Sequence, residues 1–276
     1  MTTTLNILSS SQPGKQFVLH DAKGRPNNNT LEFTTISVQE KPSFAEYLKA
    51  GWCINMSVAI DYTASNGDPS KPTSLHHISE IDQNRGRQLN QYENAMTSVG
   101  KILETYAYKK RFSSYGFGAI PRYLGETKVS HNFFLGKNDL GEPVPEIDGL
   151  DQLLKAYRES LKGVELFGPT FFKPVLQEII KNIKTRKHLD VYHVILMLTD
   201  GCIHDMRETI DLIVEASDLP LSIIIIGIGD ADFKNMEILD ADEYELTNSK
   251  MEPAKRDIVQ FVKYNDYSFD IGVLAE

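Results

Sequence analysis

An acid followed by two hydroxyl side chains at two-residue spacing is the first group in this sequence that could do chemistry. Asp61, Thr63 and Ser65 form the group, and they follow residues 54–60, in which every second residue is strongly apolar. This period is typical of a β-strand, so we expect Asp61 at a strand's carboxyl end, where ligands collect in open α/β sheets. One carboxylate and two hydroxyls are hard oxygen ligands, which suit Mg²⁺, Mn²⁺ or Ca²⁺ better than zinc or copper.

Two later loops add candidate ligands. The segment Val191–Thr199 is almost continuously apolar and leads directly into Asp200. Strands buried on both faces of a parallel sheet have this pattern, so Asp200 is predicted to follow a second central strand. Thr170 precedes a segment with apolar residues at helical spacing. Taken alone, Thr170 is better explained as the N-cap of that helix than as a metal ligand.

Four stretches, in this order along the chain, resemble the copine A-domain, which is similar to von Willebrand factor A domains. They are Ala59–Pro69, Tyr115–Ala119, Leu198–Gly201 and Arg256–Val262. The resemblance extends from about Phe44 to Tyr264. It implies a metal-ion-dependent adhesion site. Its ligands would be Asp61, Thr63, Ser65, Thr170 and Asp200. The family usually has serine where Thr63 stands, and the hydroxyl is retained.

The resemblance also implies a function. A copine-like protein is expected to be an intracellular adaptor whose A-domain binds protein partners through a divalent cation and is not an enzyme. Mg²⁺ or Mn²⁺ is the first candidate and Ca²⁺ a further one, with an acidic residue of the partner completing the coordination. The family is linked to calcium-dependent phospholipid binding and membrane signalling, which its C2 domains carry. The acidic calcium loops of a C2 domain do not occur in residues 1–43, so lipid binding is assigned to no residue here.

Strands and helices alternate along most of the chain, which predicts an α/β fold. We expect a doubly wound, mostly parallel six-stranded sheet of the Rossmann-like, von Willebrand factor A type, with helices on both faces. The common strand order 3-2-1-4-5-6 would make the strand ending at Asp61 the neighbour of the strand ending at Asp200. Their junction is the topological switch point, and Thr170 lies in the connection just before the second strand. Gly116 and Gly118, near a strand end, indicate close approach of another backbone.

The expected domain organisation has three parts. Residues 1–43 are predicted to form a small β-hairpin segment, with strands near 16–19 and 31–38 around a turn, and they resemble the end of a C2 domain. Residues 44–264 are predicted to be the A-domain, and residues 265–276 a tail.

Composition limits the classes of partner. The chain has 276 residues, 41% of them hydrophobic, and a net charge of −9. This charge argues against broad nucleic-acid binding and against unaided adhesion to anionic lipid. Two cysteines, Cys53 and Cys202, cannot form a disulfide framework. We therefore expect both to be reduced thiols and the protein to be cytoplasmic, with recruitment of the protein to membranes as a further possibility. The first residues have no secretory signal pattern.

Three alternatives stay open at this point. Asp61, Thr63 and Ser65 could tie up a loop through side-chain-to-main-chain hydrogen bonds. A Mg²⁺ site could instead serve an enzyme of phosphoryl transfer or hydrolysis; no Walker loop is present, and His204–Asp205 is the one acid–base pair near the loops. Asp205 also fits a capping box with Glu208 at a helix start. The chain could also be an incomplete copine gene product that lacks its membrane domains.

Overall fold

The structure is a computed structural model that describes residues 16–20, 23–32, 34–35, 41–82, 86–185, 190–242 and 244–267. The chain divides into two units, Met1–Tyr47 and Leu48–Glu276. The predicted boundaries at residues 43 and 264 stay predictions, and most of the predicted tail, 268–276, lies outside the described residues.

The first unit contains the predicted hairpin, formed by β1 (Gln16–His20) and β2 (Pro26–Glu32). The two strands are antiparallel, with Phe17 opposite Leu31. The sequence predicts that the second strand begins near Leu31, but it begins at Pro26. The reason is a shorter turn, in which Gly24 takes a left-handed conformation with φ of 79° and reverses the chain before the asparagine run.

The second unit is built on a central sheet. Its strands and the short strands around it are β3 (Cys53–Asp61), β4 (Ile81–Asp82), β5 (Gly86–Arg87), β6 (Ala107–Phe117), β7 (Ala119–Pro121), β8 (Phe133–Phe134), β9 (Gly136–Lys137), β10 (Pro143–Val144), β11 (Glu146–Asp148), β12 (Val164–Leu166), β13 (Val191–Thr199), β14 (Leu221–Gly227) and β15 (Val259–Lys263). The main path runs β11-β6-β3-β13-β14-β15, and β8 pairs with β6 outside it.

This path confirms the predicted strand order. Numbered along the chain, its six strands lie in the order 3-2-1-4-5-6. All neighbours are parallel except β11, which runs antiparallel to β6. In the register of β3 and β13, Val58 lies opposite Leu196 and Ile60 opposite Leu198. Both strands therefore end at the same edge of the sheet, where Asp61 and Asp200 follow.

Helices cover both faces of the sheet. In the described part of the second unit these are α2 (Gln91–Tyr106), α3 (Leu150–Leu161), α4 (Lys173–Thr185), α5 (Met206–Ala216), α6 (Lys234–Asp240) and α7 (Tyr264–Tyr267), with 3-10 turns at Ala64–Asn66 and Arg122–Leu124. Helix α1 (Phe44–Lys49) contains the end of the first unit, Tyr47. Met56 of β3 belongs to a buried cluster with Met96 of α2 and Leu153 of α3. Ile195 of β13 belongs to a second cluster with Ile179 of α4. Alternate residues of the strands thus fill two cores, as a doubly wound sheet requires.

Two predicted helix caps are wrong, and one residue explains both. Helix α4 begins at Lys173, so Thr170 lies too early to be its N-cap. The carboxylate of Asp205 accepts the N–H groups of Phe172 at 3.0 Å and Lys173 at 2.8 Å instead. Because this carboxylate serves α4, it makes no capping hydrogen bond at the start of its own helix, α5, and the predicted capping box with Glu208 does not form.

Among the helices of the described residues, none is long and apolar enough to span a bilayer.

Candidate metal centre

Asp61 is the last residue of β3 and is completely buried. Its Oδ1 accepts the N–H of Thr63 at 2.9 Å and the O–H of Thr63 at 2.7 Å. Its Oδ2 accepts the O–H of Thr199 at 2.7 Å. The hydrogen bond from the Thr63 N–H to the Asp61 carboxylate is a side-chain-to-main-chain contact of the kind that stabilises a loop. The two hydroxyl contacts also place ligand-type oxygens around a buried carboxylate.

Three side-chain oxygens form a triangle beside Asp61. Oγ1 of Thr63 lies 2.9 Å from Oγ of Ser65, which lies 3.1 Å from Oδ1 of Asp200. The third side, from Thr63 Oγ1 to Asp200 Oδ1, is 3.5 Å. Neighbouring oxygens around an octahedral Mg²⁺, with bonds near 2.0–2.1 Å, are separated by about 2.9 Å. The donor types and two of the three spacings therefore fit a hard divalent cation.

Thr170 is hydrogen-bonded to His204 through its main chain. It is buried, its N–H donates to Nδ1 of His204 at 3.3 Å, and its carbonyl accepts the N–H of His204 at 2.9 Å. Three residues earlier, the carbonyl of Phe167 accepts the N–H of Ala64 at 2.6 Å. No hydrogen bond among the described residues joins the Thr170 hydroxyl to the other four predicted ligands. The structure thus brings Asp61, Thr63, Ser65 and Asp200 together and, among the described residues, joins Thr170 by hydrogen bonds only to His204. The role of all five as metal ligands stays a prediction.

The His204–Asp205 pair is not an acid–base pair in this structure. Nδ1 of His204 accepts the main-chain N–H of Thr170, and the carboxylate of Asp205 caps α4. Both side chains hold loops in place around the switch point.

Burial makes both carboxylates harder to ionise than an exposed aspartate. Burial raises the pKa of Asp61. Burial, followed by repulsion from Asp61, raises the pKa of Asp200 to about 7. Within the described part of the chain, no Lys, Arg or His side chain forms an ion pair with either carboxylate, and no group of three or more His, Cys, Asp or Glu residues could hold a metal. Hydroxyl oxygens would have to complete any cation site here.

Sequence reasoning missed the residues that support this loop. Nε2 of His76 lies 2.8 Å from the carbonyl oxygen of Asp61, and burial lowers the pKa of His76 to about 3, so its ring is neutral. The amide of Asn66 donates to the carbonyl of Thr63 at 3.2 Å. Thr199 could have been found, because a hydroxyl at the end of an apolar strand beside Asp200 is visible in the sequence. His76 carries no such signal, since it lies in an irregular segment.

Gly118 lets three segments meet at the loop. Its φ is 80°, and an added Cβ would lie 2.3 Å from Cγ2 of Thr63. Its N–H donates to the carbonyl of Ser130 at 3.0 Å, and its own carbonyl accepts the N–H of Phe167 at 3.1 Å. The close backbone approach predicted for this glycine is confirmed.

A doubly wound sheet in this strand order, with carboxylates and hydroxyls at its switch point, defines a von Willebrand factor A-like domain. The chain belongs to the copine family, because the family model described as Copine matches residues 74–274. Family and fold together indicate a protein-interaction A-domain.

Two plant relatives are similar over most of this chain. Protein BONZAI 1 of Arabidopsis thaliana is 45% identical over 230 residues, which cover 82% of this chain and 38% of that protein. Protein BONZAI 2 of Arabidopsis thaliana is 44% identical over 230 residues, with 82% and 37% covered. The chain therefore spans less than two-fifths of the length of these relatives.

The solved structures that resemble this chain are less similar to it in sequence than the plant relatives are. The manganese-loaded TRAP protein of Plasmodium vivax has a TM-score of 0.48 and 15% identity, covering 81% of this chain and 72% of that one. A von Willebrand factor type A protein of Catenulispora acidiphila has a TM-score of 0.41 and 14% identity, covering 81% and 43%.

Proposed function

We propose that this A-domain binds protein partners through a divalent metal ion held by Asp61, Thr63, Ser65, Asp200 and Thr170. The observation that carries the proposal is a pair of buried carboxylates with no basic partner among the described residues, beside two hydroxyls. The hydroxyl oxygens of Thr63 and Ser65 are 2.9 Å apart and lie 3.5 and 3.1 Å from Oδ1 of Asp200. Burying uncompensated charge is costly. A bound dication would remove this cost, and Mg²⁺ or Mn²⁺ fits the oxygen donors best, with Ca²⁺ as a further candidate.

Each residue has a distinct part in this proposal. Thr63 and Ser65 offer hydroxyl lone pairs, while Asp61 and Asp200 balance the charge, directly or through water. A cation bound there would supply one open coordination position for an Asp or Glu of the partner protein. The fixed carboxylate of Asp61, held by three hydrogen bonds, supports a preorganised site.

The first test is calorimetric titration of chelator-stripped protein with Mg²⁺, Mn²⁺ and Ca²⁺. We expect one saturable site, and Thr63→Val and Asp200→Asn should weaken it by at least about 100-fold, since even indirect partners of metal ligands contribute 10- to 100-fold. The matched control is Asp139→Asn, which changes an exposed aspartate of the same domain and should leave the affinity unchanged.

Two outcomes would reject the metal site. One is wild-type protein that binds no cation with saturation. The other is Asp200→Asn binding as tightly as the Asp139→Asn control. Unfolding curves in EDTA distinguish the loss of a metal ligand from the loss of the fold. Asp200→Asn should be at least as stable as the wild type in these curves, because it removes a buried charge.

An exposed phenylalanine supports a protein partner. Phe167 is 52% exposed and is hydrogen-bonded through its main chain to the metal loop. Aromatic side chains at the centre of an interface often carry much of the binding energy. We expect Phe167→Ala to lower partner binding by about 10-fold and to leave metal affinity unchanged.

Selection of a random-peptide phage library on immobilised protein in Mg²⁺, followed by elution with EDTA, measures this effect. Wild-type protein should retain peptides with Asp or Glu, and Phe167→Ala should retain about 10-fold fewer. Tyr244→Ala is the control, because Tyr244 is 81% exposed and outside the site. Equal yields from the Phe167 and Tyr244 variants would show that Phe167 takes no part in binding.

We propose binding rather than catalysis as the activity of the site. The contacts of His204 and Asp205 with main-chain groups support this view. Among the described residues, no contact at the switch point favours the alternative of phosphoryl transfer or hydrolysis.

We propose the cytoplasm as the place of action. Cys53 and Cys202 are free thiols, which supports a reducing compartment. The phospholipid binding and membrane signalling that the resemblance implies for the family are assigned to no residue of this chain.

A further inference from the structure

A buried aromatic cluster lies directly beneath the candidate metal loop. Tyr62, His76, Tyr92 and Tyr157 are all completely buried. The ring of His76 is stacked between Tyr62, with centroids 5.2 Å apart, and Tyr92, with centroids 4.2 Å apart. Both of its ring nitrogens have partners, Nδ1 at 2.8 Å from the Tyr157 hydroxyl and Nε2 at 2.8 Å from the Asp61 carbonyl. Stacking and hydrogen bonding thus fix both the plane and the direction of this ring.

The position of every proton in this chain of contacts can be assigned. A carbonyl oxygen only accepts, so Nε2 of His76 carries the hydrogen and donates to Asp61. Nδ1 is then an acceptor, and the Tyr157 hydroxyl donates to it. The Tyr157 oxygen in turn accepts from Nδ2 of Asn90 at 3.1 Å. The amide of Asn90 has a single orientation, because its Oδ1 accepts the N–H of Glu93 at 2.8 Å.

A second series of hydrogen bonds runs parallel to the first. The Tyr92 hydroxyl donates to Oδ1 of Asn66 at 2.6 Å. Nδ2 of Asn66 then donates to the carbonyls of Thr63 at 3.2 Å and Asp61 at 3.4 Å. Both series begin at the start of α2 and end on main-chain carbonyls of residues whose side chains are candidate ligands. The two series therefore hold the main chain of the loop at the carbonyls of Asp61 and Thr63.

We infer that His76, oriented by Tyr157, is a positioning residue that fixes the main chain of Asp61 so that the carboxylate and hydroxyl oxygens of the loop converge on the cation. The inference rests on the proposed metal-binding function. Partners that hold metal ligands in orientation typically contribute 10- to 100-fold to metal affinity, because a ligand set that must first be ordered binds more weakly.

The test compares metal affinity with stability in four variants. Tyr157→Phe removes only the hydroxyl that orients His76. His76→Phe keeps a flat ring and removes both hydrogen bonds, whereas His76→Gln offers an N–H donor and an oxygen acceptor in place of the two nitrogens. Tyr123→Phe is the control, because it removes a tyrosine hydroxyl that has no hydrogen bond to the loop. This hydroxyl donates to the main-chain carbonyl of Phe134 at 2.6 Å.

We expect Tyr157→Phe and His76→Phe to weaken Mg²⁺ or Mn²⁺ binding by about 10-fold or more, and His76→Gln to restore affinity to within about 3-fold of the wild type. Unfolding curves in EDTA should show a loss of stability in both Tyr157→Phe and Tyr123→Phe, because each removes a hydrogen-bonded hydroxyl. A residue with a merely structural role would lower the stability of the protein and leave its metal affinity unchanged, whereas a positioning residue also lowers the metal affinity.

The positioning role is overturned if the wild type binds the cation and the variants at Tyr157 and His76 bind it with the same affinity as the Tyr123→Phe control. His76→Phe counts in this comparison only if it folds. In that case the metal site itself would stand. If the wild type binds no cation, the metal proposal fails first, and the positioning role fails with it.

Discussion

Replacing Glu93 by alanine should lower the free energy of unfolding by about 3–5 kcal/mol, the usual cost of breaking a buried ion pair. The Glu93 side chain has no exposed surface, and its Oε1 accepts from Arg87 at 2.7 Å and Arg158 at 2.6 Å. Its Oε2 accepts the N–H of Asn90 at 3.1 Å and completes the capping box of α2. Alanine would leave two guanidinium groups without their carboxylate and would remove half of the cap.

Urea unfolding in EDTA measures this loss, and Glu165→Ala is the matched control. Glu165 also pairs with an arginine, Arg122, at 2.7 Å, but the two side chains are 52% and 47% exposed. Exposed pairs contribute less than about 1 kcal/mol. If the two alanine variants lose the same stability, the buried ion pair is not what holds the start of α2.

Glu93 is also connected to the metal loop through its main chain. Its N–H donates to Oδ1 of Asn90 and orients this amide, which begins the series of hydrogen bonds that runs through Tyr157 and His76 to Asp61. Arg87 and Arg158 neutralise the Glu93 carboxylate at the start of the supporting helix. In the described part of the chain, neither arginine forms an ion pair with Asp61 or Asp200.

Periodicity was enough to predict the fold. Alternating apolar residues before Asp61 and an unbroken apolar run before Asp200 identified two central strands, and the preference for one strand order made them neighbours. The structure has that order. The approximate position of the candidate site followed from the same reasoning, since parallel strands end at one edge.

The contacts that shape the site could not be predicted in this way. Periodicity reports which face of an element is buried, but it does not report which distant side chain a polar group will meet. Asp205 caps a helix that begins 32 residues earlier in the chain, so the local capping pattern with Glu208 was misleading. His76 and Tyr157 are 81 residues apart, and only the packing of α2 and α3 on one face of the sheet brings them together.

Metal affinity should fall by about 50-fold between pH 7 and pH 5, with a slope that approaches about 10-fold for each pH unit below pH 6. Burial and the charge of Asp61 raise the pKa of Asp200 to about 7 from its ordinary value of 3.8. Below pH 7 a cation must therefore displace a proton from this carboxyl group. Titration with Mg²⁺ at half-unit steps of pH measures the slope, and an affinity that is constant from pH 7 to pH 5 would contradict the assignment of Asp200 as a ligand.

The metal-free protein should respond to pH with the opposite sign. Because the folded pKa of Asp200 lies above the unfolded value of 3.8, its contribution to stability is fully present below pH 3.8 and is lost as the pH rises through about 7. His76 opposes this trend, since its folded pKa of about 3 lies below its ordinary 6.5 and the unfolded state binds the proton first. His76 is present in both the wild type and Asp200→Asn, so its effect is absent from the difference between their unfolding free energies in EDTA. That difference should change in favour of the wild type by about 1.4 kcal/mol per pH unit as the pH falls from 7 to 4, and a difference that does not vary with pH would mean that Asp200 titrates as an ordinary aspartate.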